Sequence, residues 1–460
     1  MAGGRTPNGS TFRQSSAGEA RMRADGKPGD VHVANRNMDI HHGLNGDRRV
    51  DVERADHSRI VAERGGRGYV QHPFSYHGHE FGHRAYFYNG RAYDRFYNRY
   101  AFRGVYVEGY MPAAYYGPAF YGWVYNPWAA PVPYAWSFAG NPWYGYYGFY
   151  FAPYPVYTSA SLWLTDYLVS QSLAADYQAR VEAGAVPPPA MAQAPGQVLL
   201  TPEVKQLISQ EVQRQVALEN QEAQQTAQHQ DIDPVSSGIG RLLGDNVQHV
   251  FVVGQNLDVV DEGSGAECAI GEGDVLQLAH APSANATAGD MVVLTSKGGT
   301  ECHRGSTVAV GLADLQNMQN HMRETIDQGM NDLKNNQAKG IPAVPASAAV
   351  APFHADFVAQ APPADPNAAA EIGAQWKESD SAEQEALSQP TPIASASPAP
   401  TSAGPAPGGA PKTIAIGQTA EDVTAILGQP KSVVDLGAKK IYVYPDIKIT
   451  FNNGKVSDVQ

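Results

Sequence analysis

Between residues 112 and 157 the sequence is dominated by tyrosine, tryptophan, proline and glycine. Proline lacks a backbone N–H and clashes inside a helix, so this segment cannot form long helices or central strands. The tripeptide Asn-Pro-Trp occurs at 126–128 and again at 141–143. We therefore expect extended aromatic segments, which either wrap a core or lie exposed as an adhesive surface.

The chain before this segment alternates with period two, which is typical of half-buried strands. Asn89-Gly90 stands between two aromatic runs, and this dipeptide favours a β-hairpin because both of its residues tolerate positive φ. We predict antiparallel hairpins throughout a Tyr/Trp-rich region at 28–160. The polar residues 1–27 are predicted to be disordered, and 161–183 to form an amphipathic helix.

A linker is predicted at 184–200, and a helix at 201–230 that starts with a threonine N-cap and a proline. The apolar residues of this helix form one narrow stripe: Val204, Ile208, Val212 and Val216. So narrow a stripe is typical of a helix that pairs with another helix in a short coiled coil. Five short runs rich in valine and leucine predict a small β-barrel or sandwich within 231–338, which ends in a helix.

The only two cysteines, Cys268 and Cys302, occupy matching positions in Glu-Cys-x-x-Gly segments of this β unit. Each precedes a turn that leads into a strand, so we predict a disulfide rather than two buried thiols. In the chain-entropy model such a bridge stabilises the unit by about 3–4 kcal/mol. Structural disulfides persist in oxidising compartments, so a bridge would favour a location outside the cytosol.

The segment 77–83, His-Gly-His-Glu-Phe-Gly-His, contains H-E-x-x-H at His79, Glu80 and His83. Zinc peptidases carry this spacing on a helix, with both histidines on one face and the glutamate beside the metal-bound water. Its two glycines and the hairpin that follows predict a strand instead, which argues against catalysis. On a strand His77, His79 and His83 share one face, so a weak metal site or a metallopeptidase is a low-weight alternative.

Charge is distributed unevenly along the chain, whose net charge is −13. The part before the aromatic segment is rich in arginine, and the remainder is strongly acidic. Aromatic residues interleaved with arginine have three interpretations: sugar stacking, single-stranded nucleic-acid binding, or packing in which arginine stacks on the rings. We favour packing and do not expect nucleic acid. The chain has no apolar run long enough to predict a transmembrane helix, and no signal peptide is visible.

Residues 339–411 are rich in alanine, proline and serine and predict a flexible linker. In 412–460, Thr419 and Asp422 form a capping box, and alternating segments predict one helix on a three-stranded sheet. This module resembles the BamE-like (SmpA/OmlA) outer-membrane lipoprotein domain, whose pattern is G-x-T-x-x-x-V-x-x-x-L-G-x-P. The matching residues are Gly417, Thr419, Val423, Leu427, Gly428 and Pro430.

The resemblance implies a non-enzymatic interaction module of the cell envelope. Residues 163–167 and the two-cysteine unit are similar to uncharacterised secreted proteins of soil bacteria, which implies a location but no activity. Our overall prediction is a multi-domain, mainly β protein with α+β parts and long disordered linkers.

We predict that this protein is not an enzyme and has no catalytic residue, cofactor or resident metal. It would serve as a structural or adaptor protein in the periplasm, at the outer membrane or outside the cell. A carbohydrate- or cell-wall-binding protein that uses exposed aromatic rings is the alternative. The expected partner is a protein or the cell wall, with self-association through the aromatic region and the 201–230 helix.

Overall fold

The computed structural model describes residues 6–88, 91–184, 200–335, 340–388, 413–415, 418–427, 430, 432–436, 439–444, 447–452 and 455–459. Most of the predicted 184–200 linker, and the predicted linker after residue 388, therefore lie outside the described residues.

The strands are β1 Thr11–Gln14, β2 Gly18–Met22, β3 Pro28–Val33, β4 Met38–His42, β5 Arg48–Glu53, β6 Arg59–Glu63, β7 Gly68–Tyr76, β8 His79–Tyr88, β9 Arg91–Phe102, β10 Val105–Met111, β11 Ala114–Tyr115, β12 Pro127–Val132, β13 Tyr157–Ser159, β14 Val250–Val252, β15 Leu257–Asp261, β16 Glu267–Ile270, β17 Val275–Leu278, β18 Ala288–Val293, β19 Thr307–Gly311, β20 Phe353–His354, β21 Thr413–Ala415, β22 Ser432–Leu436, β23 Lys439–Val443, β24 Lys448–Asn452 and β25 Lys455–Val459. The α-helices are α1 Pro118–Tyr125, α2 Pro142–Tyr147, α3 Ala160–Glu182, α4 Pro202–Ala227, α5 Pro234–Ser237, α6 Ile239–Leu242, α7 Leu312–Asn335, α8 Ala368–Leu387 and α9 Ala420–Leu427.

The first ten strands form one antiparallel meander in which each strand pairs with the next. The strands on either side of Asn89-Gly90 pair as predicted, since β8 and β9 are antiparallel up to Tyr88 opposite Arg91. The dipeptide itself lies outside the described residues. One face of the sheet buries the apolar residues of the period-two pattern, such as Val31, Val50 and Ile60. The prediction of antiparallel hairpins is therefore confirmed for 28–111, whereas it is wrong for 112–160, which contains the short helices α1 and α2.

Helix α8 covers this apolar face, and it lies inside the segment that was predicted to be a flexible linker. Its residues Ala368, Ile372, Ala382 and Ala386 are buried in the same cluster as the sheet valines. The prediction of a linker is therefore wrong for the part of 339–388 that the structure describes. The alanine-rich composition suggested a linker, but small residues at helical spacing let the helix lie close to the sheet.

The N-terminal strands correct a second prediction, because β1 and β2 lie in the segment that was expected to be disordered. Ion pairs with distant acidic residues hold them: Arg21 Nη2 lies 2.7 Å from Glu267 and Arg23 Nη2 lies 2.5 Å from Asp258. His41 of β4 joins this cluster through Asp30, at 2.7 Å. The polar composition of this segment therefore reflects a charged interface with β15 and β16.

The aromatic segment and the long helices share one hydrophobic core. Rings of the aromatic segment, including Tyr115, Phe120 and Tyr157, are buried in it together with the apolar residues of α3 and α4. Helix α7 extends from this core into a second one, since Met322 lies in the first and Leu315 in the second. The aromatic segment and the central β unit are therefore packed onto a common helix.

The apolar stripe of α4 packs inside the protein and does not form the predicted coiled coil. The helix and its Thr201 N-cap are present, with the threonine side chain accepting from Val204 N–H. However, Ile208 and Val212 are fully buried against elements of the same chain. The stripe is therefore not available to a second copy, because it already packs inside the protein.

The central β unit is one antiparallel sheet of six strands in the order β14-β17-β18-β19-β15-β16. All five predicted strands are present, and the additional strand β16 carries Cys268. Helix α7 follows β19 directly, as predicted. The side chains of Asn320 and Arg323 on this helix also bond to backbone groups of Tyr110 in β10 and so cover that edge of the large sheet.

The C-terminal part has helix α9 and four strands rather than the three predicted, because Ser432–Leu436 pairs with β23 as β22. Its core includes Val423, Ile449 and Phe451, and it also takes in Phe12 from β1. Strand β21 pairs antiparallel with β1. The module is therefore in contact with the N-terminal sheet.

No helix within the described residues combines the length and the apolar character that crossing a membrane requires.

We expect Ile372→Ala to lower the free energy of unfolding by about 2–4 kcal/mol, because it leaves a cavity between α8 and the sheet. Denaturant unfolding of the full chain measures the change. Lys377→Ala, at an exposed position of the same helix, is the matched control and should change stability by less than about 0.5 kcal/mol. Equal effects of the two substitutions would contradict the packing of α8 on the sheet.

The environment of His41 predicts that the stability of the protein depends on pH. Burial lowers its pKa, but the contacts with Asp258 and Asp30 outweigh burial and raise it to about 10. A histidine whose pKa is raised by folding stabilises the folded state. This contribution is complete at pH values below the unfolded pKa of about 6.5, and it disappears as the pH rises through 10. We expect the wild-type protein to lose on the order of 2 kcal/mol more stability than His41→Gln between pH 7 and pH 10.

Unfolding curves at several pH values check this expectation. His57→Gln, at a turn where the side chain is 65% exposed, is the control and should retain the wild-type pH dependence. If the stability of the wild type and of His41→Gln changed with pH in the same way, the charge of this imidazole would not stabilise the folded state.

Candidate functional site

The H-E-x-x-H segment forms a hairpin in the structure and not a helix. Strand β7 ends at Tyr76, His77 lies in the turn with φ 48°, and β8 starts at His79. The expectation that His77, His79 and His83 share one strand face is therefore wrong for His77. The positive φ of the turn, which Gly78 also adopts, takes His77 out of the strand.

The three imidazoles have separate surroundings. His77 Nδ1 lies 2.7 Å from a carboxylate oxygen of Asp231, and His83 is buried, with Nδ1 2.8 Å from the carbonyl oxygen of Pro362. Within the described residues, no three His, Cys, Asp or Glu side chains lie close enough together to hold a metal ion. The segment thus does not bring together the ligands of a zinc peptidase.

His79 lines a cleft of about 40 Å³ between the β7–β8 hairpin, the residues after α4 and the segment 355–357. We call it the His79 cleft. Its floor is buried and includes Phe81, Asn98 and Phe357. A volume well below the 300 Å³ of ordinary ligand pockets limits the cleft to a small group and excludes a large substrate.

Two histidine–aspartate pairs lie at the His79 cleft, and three of their side chains, His229, Asp231 and Asp356, line it. His77 pairs with Asp231 at 2.7 Å, and His229 pairs with Asp356 at the same distance. All four side chains are largely exposed. Burial raises the pKa of Tyr76, and the charges of Asp356 and Asp231 raise it further. The carboxylates of Asp231 and Asp356 therefore lie near Tyr76, and each of them is paired with an imidazole.

The tyrosines of the aromatic region are mostly buried, and their hydroxyls bond to acidic side chains of the long helices. The pairs are Tyr97–Glu324, Tyr110–Asp327, Tyr121–Glu219, Tyr147–Asp176, Tyr157–Asp166 and Tyr167–Asp332. A buried carboxylate requires such donors, and a phenylalanine could not supply them. The acidic helices and the tyrosine-rich segment are therefore complementary.

Arginine stacks on these rings, as the packing interpretation predicted. The guanidinium carbon of Arg84 lies 3.7 Å from the ring centroid of Tyr97 and 4.4 Å from that of Tyr69. Its Nη2 also pairs with Glu108 at 2.5 Å. This arginine is thus occupied inside the protein and is not free to bind a phosphate.

One group of rings remains partly exposed and forms a continuous surface, which we call the aromatic face. It consists of Tyr134, Trp136, Phe138, Trp143 and Tyr144. Neighbouring rings touch, with centroids 4.9 Å apart for Trp136 and Phe138 and again for Phe138 and Trp143. Exposed residues between them are alanine, proline, glycine, serine and asparagine.

The residues of the aromatic face are themselves uncharged. From Gly109 to Thr165 the sequence contains no Asp, Glu, Lys, Arg or His. Depletion of charge together with enrichment in aromatic residues is typical of the core of a protein interface. This charge-free stretch is the sequence signal that could have located the face.

Hydrogen bonds connect the aromatic face to a buried ion pair. Trp136 Nε1–H donates to the Tyr157 hydroxyl at 2.6 Å, and that hydroxyl donates to Asp166 at 2.6 Å. Asp166 in turn pairs with Lys205 of α4 at 2.5 Å. This chain of hydrogen bonds fixes the indole of Trp136 to the buried ion pair.

Stacking also restricts what the face can bind. The ring of Trp136 is nearly parallel to Phe138 and to Trp163, at 4.9 Å in both cases. Sugar stacking needs an open ring face, whereas a protein partner can pack against ring edges. Trp136 therefore stacks on other rings of the protein itself.

The predicted disulfide is present and joins Cys268 to Cys302, which are 34 residues apart in the sequence. It links β16 to the loop before β19. Beside it lies a buried network in which Lys297 Nζ bonds to Asp274 at 2.7 Å and to Glu301 at 3.3 Å. The network bonds the segment around Lys297 to the turn that carries Asp274 within the β unit.

The structure places four of the six BamE-like motif residues, while Gly417 and Gly428 lie outside the described residues. Thr419 caps α9, since its hydroxyl donates to Asp422 at 2.7 Å and accepts from the Asp422 N–H at 3.2 Å. Val423 is fully buried, and Leu427 and Pro430 are partly buried. Among the described motif residues, Thr419 caps the helix and Val423 packs in its core.

In comparisons with known proteins, no family model, no curated protein and no solved structure matches the chain.

We expect the double variant Cys268→Ala/Cys302→Ala to lose about 3–4 kcal/mol of stability, because the bridge no longer restricts the unfolded chain. Chemical denaturation of the unreduced protein and of the variant measures the difference. A thiol titration of the denatured, unreduced wild type provides the control and should find no free thiol. Two titratable thiols would contradict the bridge.

Proposed function

We propose that this protein is a non-enzymatic structural or adaptor protein of the bacterial cell envelope or the extracellular space, and that it binds a protein partner through the aromatic face. The single observation that supports this function is the cluster of uncharged, partly exposed rings formed by Trp136, Phe138 and Trp143 with their neighbours. Aromatic surfaces of this kind provide binding energy when a partner excludes water from them.

The disulfide between Cys268 and Cys302 supports a location outside the reducing cytosol. The resemblance of 412–460 to the BamE-like domain supports the envelope in particular, and we propose that this module makes a second, non-catalytic contact there. We do not propose a metallopeptidase, because the H-E-x-x-H residues form a hairpin with separated imidazoles.

Site-specific photo-crosslinking in intact cells that produce the full chain tests the proposal. We expect Trp143→benzoylphenylalanine to give one recurrent adduct with an envelope or secreted protein. Tyr106→benzoylphenylalanine is the matched control, because Tyr106 is 65% exposed but lies outside the aromatic face. Equal labelling from both positions would contradict a partner at this face.

Once a partner is identified, Trp143→Ala should weaken its binding by at least about 30-fold, the effect of losing a central aromatic contact. Tyr106→Ala should leave the affinity within about twofold of the wild type. If the adduct at position 143 is instead a cell-wall polysaccharide, the carbohydrate-binding alternative replaces the protein partner.

A further inference from the structure

A buried amine lies between two carboxylates in the central β unit, and the proposed function does not use this cluster. Lys297 Nζ is 2.7 Å from Oδ1 of Asp274 and 3.3 Å from Oε1 of Glu301. The three side chains are at most 4% exposed. Charges removed from water lose much of their hydration energy, so burial favours a reaction that converts an ammonium and a carboxyl group into a neutral amide.

We propose that Lys297 and Asp274 form an intramolecular isopeptide bond, an amide between Lys297 Nζ and Asp274 Cγ, and that Glu301 is the base for this step. The bond is a self-catalysed modification of the folded chain. It joins the turn before β17 to the segment after β18 and gives the β unit a second covalent cross-link beside the disulfide.

The amine is placed for attack on Asp274. A nitrogen that bonds to Oδ1 at 2.7 Å is one C–O bond away from Cγ, so a small shift brings the two atoms within reaction distance. The other carboxyl oxygen, Oδ2, accepts from the Gly271 N–H at 2.7 Å. A backbone N–H at this position stabilises the negative charge that develops on the oxygen when the nitrogen attacks.

The surroundings of Asp274 favour the form of the carboxyl group that reacts. An amine attacks the protonated carboxyl, because a carboxylate repels the nucleophile and cannot release its oxygen as water. Burial raises the pKa of Asp274, and the charge of Glu301 raises it further, while Lys297 lowers it by less. The protonated carboxyl is therefore more populated here than at an exposed aspartate.

Glu301 is positioned to deprotonate the ammonium. Burial lowers the pKa of Lys297, but the charges of Asp274 and Glu301 raise it overall, so the nucleophile needs a base. Oε1 of Glu301 faces Nζ, whereas Oε2 accepts from the Lys297 N–H and from the Ser296 hydroxyl, the latter at 3.3 Å. These bonds fix the carboxylate beside the amine, as proton transfer requires.

The backbone on both sides of Glu301 is held by β16. The Ala269 N–H donates to the carbonyl oxygen of Thr300 at 3.0 Å, and the Cys302 N–H donates to the carbonyl oxygen of Ala269 at 2.8 Å. Cys302 is also bridged to Cys268 of the same strand. The base is thus anchored by one covalent bond and two backbone hydrogen bonds.

The step balances without an oxidant or a cofactor. Glu301 takes one proton from the ammonium, and the Nζ–Cγ bond forms as the nitrogen attacks. The Cγ–Oδ1 bond then breaks, and this oxygen leaves as water with a second proton from the nitrogen. An ammonium, a protonated carboxyl and the carboxylate of Glu301 thus give a neutral amide, one water and a protonated Glu301.

A second buried lysine–aspartate pair provides an internal comparison. Lys205 Nζ lies 2.5 Å from Asp166, but among the described residues no second carboxylate lies within ion-pair distance of this amine. Without that base we expect the pair to remain ionic. The chain should therefore lose one water and not two.

Intact-mass spectrometry of the full chain, denatured and reduced, tests the proposal. We expect a mass lower by one water than the mass of the amino-acid sequence. Protease digestion should release a branched peptide that joins the segments around Asp274 and Lys297. A mass equal to that of the sequence overturns the proposal, and so does a water loss that maps to other residues, such as Lys205 with Asp166 or a cyclised aspartate.

Three variants test the assigned roles. Lys297→Arg removes the amine and Asp274→Ala removes the carboxyl, so both should have the full mass of their sequences. Glu301→Gln keeps the shape of the side chain but not the base, and it should form the bond at least about 100-fold more slowly. The mass of the wild type decides the proposal even where a variant does not fold.

Glu272→Gln is the matched control for the base. Glu272 is a buried carboxylate of the same turn, 8% exposed, and it reaches Lys297 Nζ through its backbone carbonyl at 3.1 Å, which the substitution keeps. This variant should lose one water like the wild type, with circular dichroism to confirm its fold. Bond formation by Glu301→Gln at the wild-type rate, or equal slowing in a folded Glu272→Gln, would overturn the role of Glu301.

Discussion

Buried charges, each paired with a residue far away in the sequence, hold this protein in one arrangement. Arg323 of α7 pairs with Glu222 of α4, and Lys205 of α4 pairs with Asp166 of α3, all of them nearly inaccessible to solvent. Removing one partner of such a pair costs about 3–5 kcal/mol, because the other charge is left buried and alone. These two ion pairs connect the three long helices α3, α4 and α7.

The tyrosine-rich segment depends on the same carboxylates. Tyr110, Tyr121 and Tyr157 each donate a hydroxyl to an acidic residue of these helices while their rings fill the core. Phe138 and Trp143, which bond to no such carboxylate, are partly exposed and belong to the aromatic face. Stability and proposed function thus use different members of one aromatic segment.

Local chemistry made several features predictable. The Asn-Gly hairpin, the Thr201 N-cap and the capping box at Thr419 each depend on residues close together in sequence, and all three are found. The disulfide was predictable because both cysteines stand in matching segments of one small β unit. The His79 cleft was not, since Asp231 and Asp356 reach it from segments far from β8.

The sequence by itself determined the elements: period-two strands, a proline-interrupted aromatic segment, capped helices and the cysteine pair. Only the tertiary structure decided their roles. It placed the apolar stripe of α4 in the core and packed α8 on the sheet. It also held the arginines before Lys27 in place by ion pairs with Glu267 and Asp258. The reason is physical: polar and alanine-rich composition predicts solvent exposure, but partners brought together by folding can satisfy buried charges and cover small side chains.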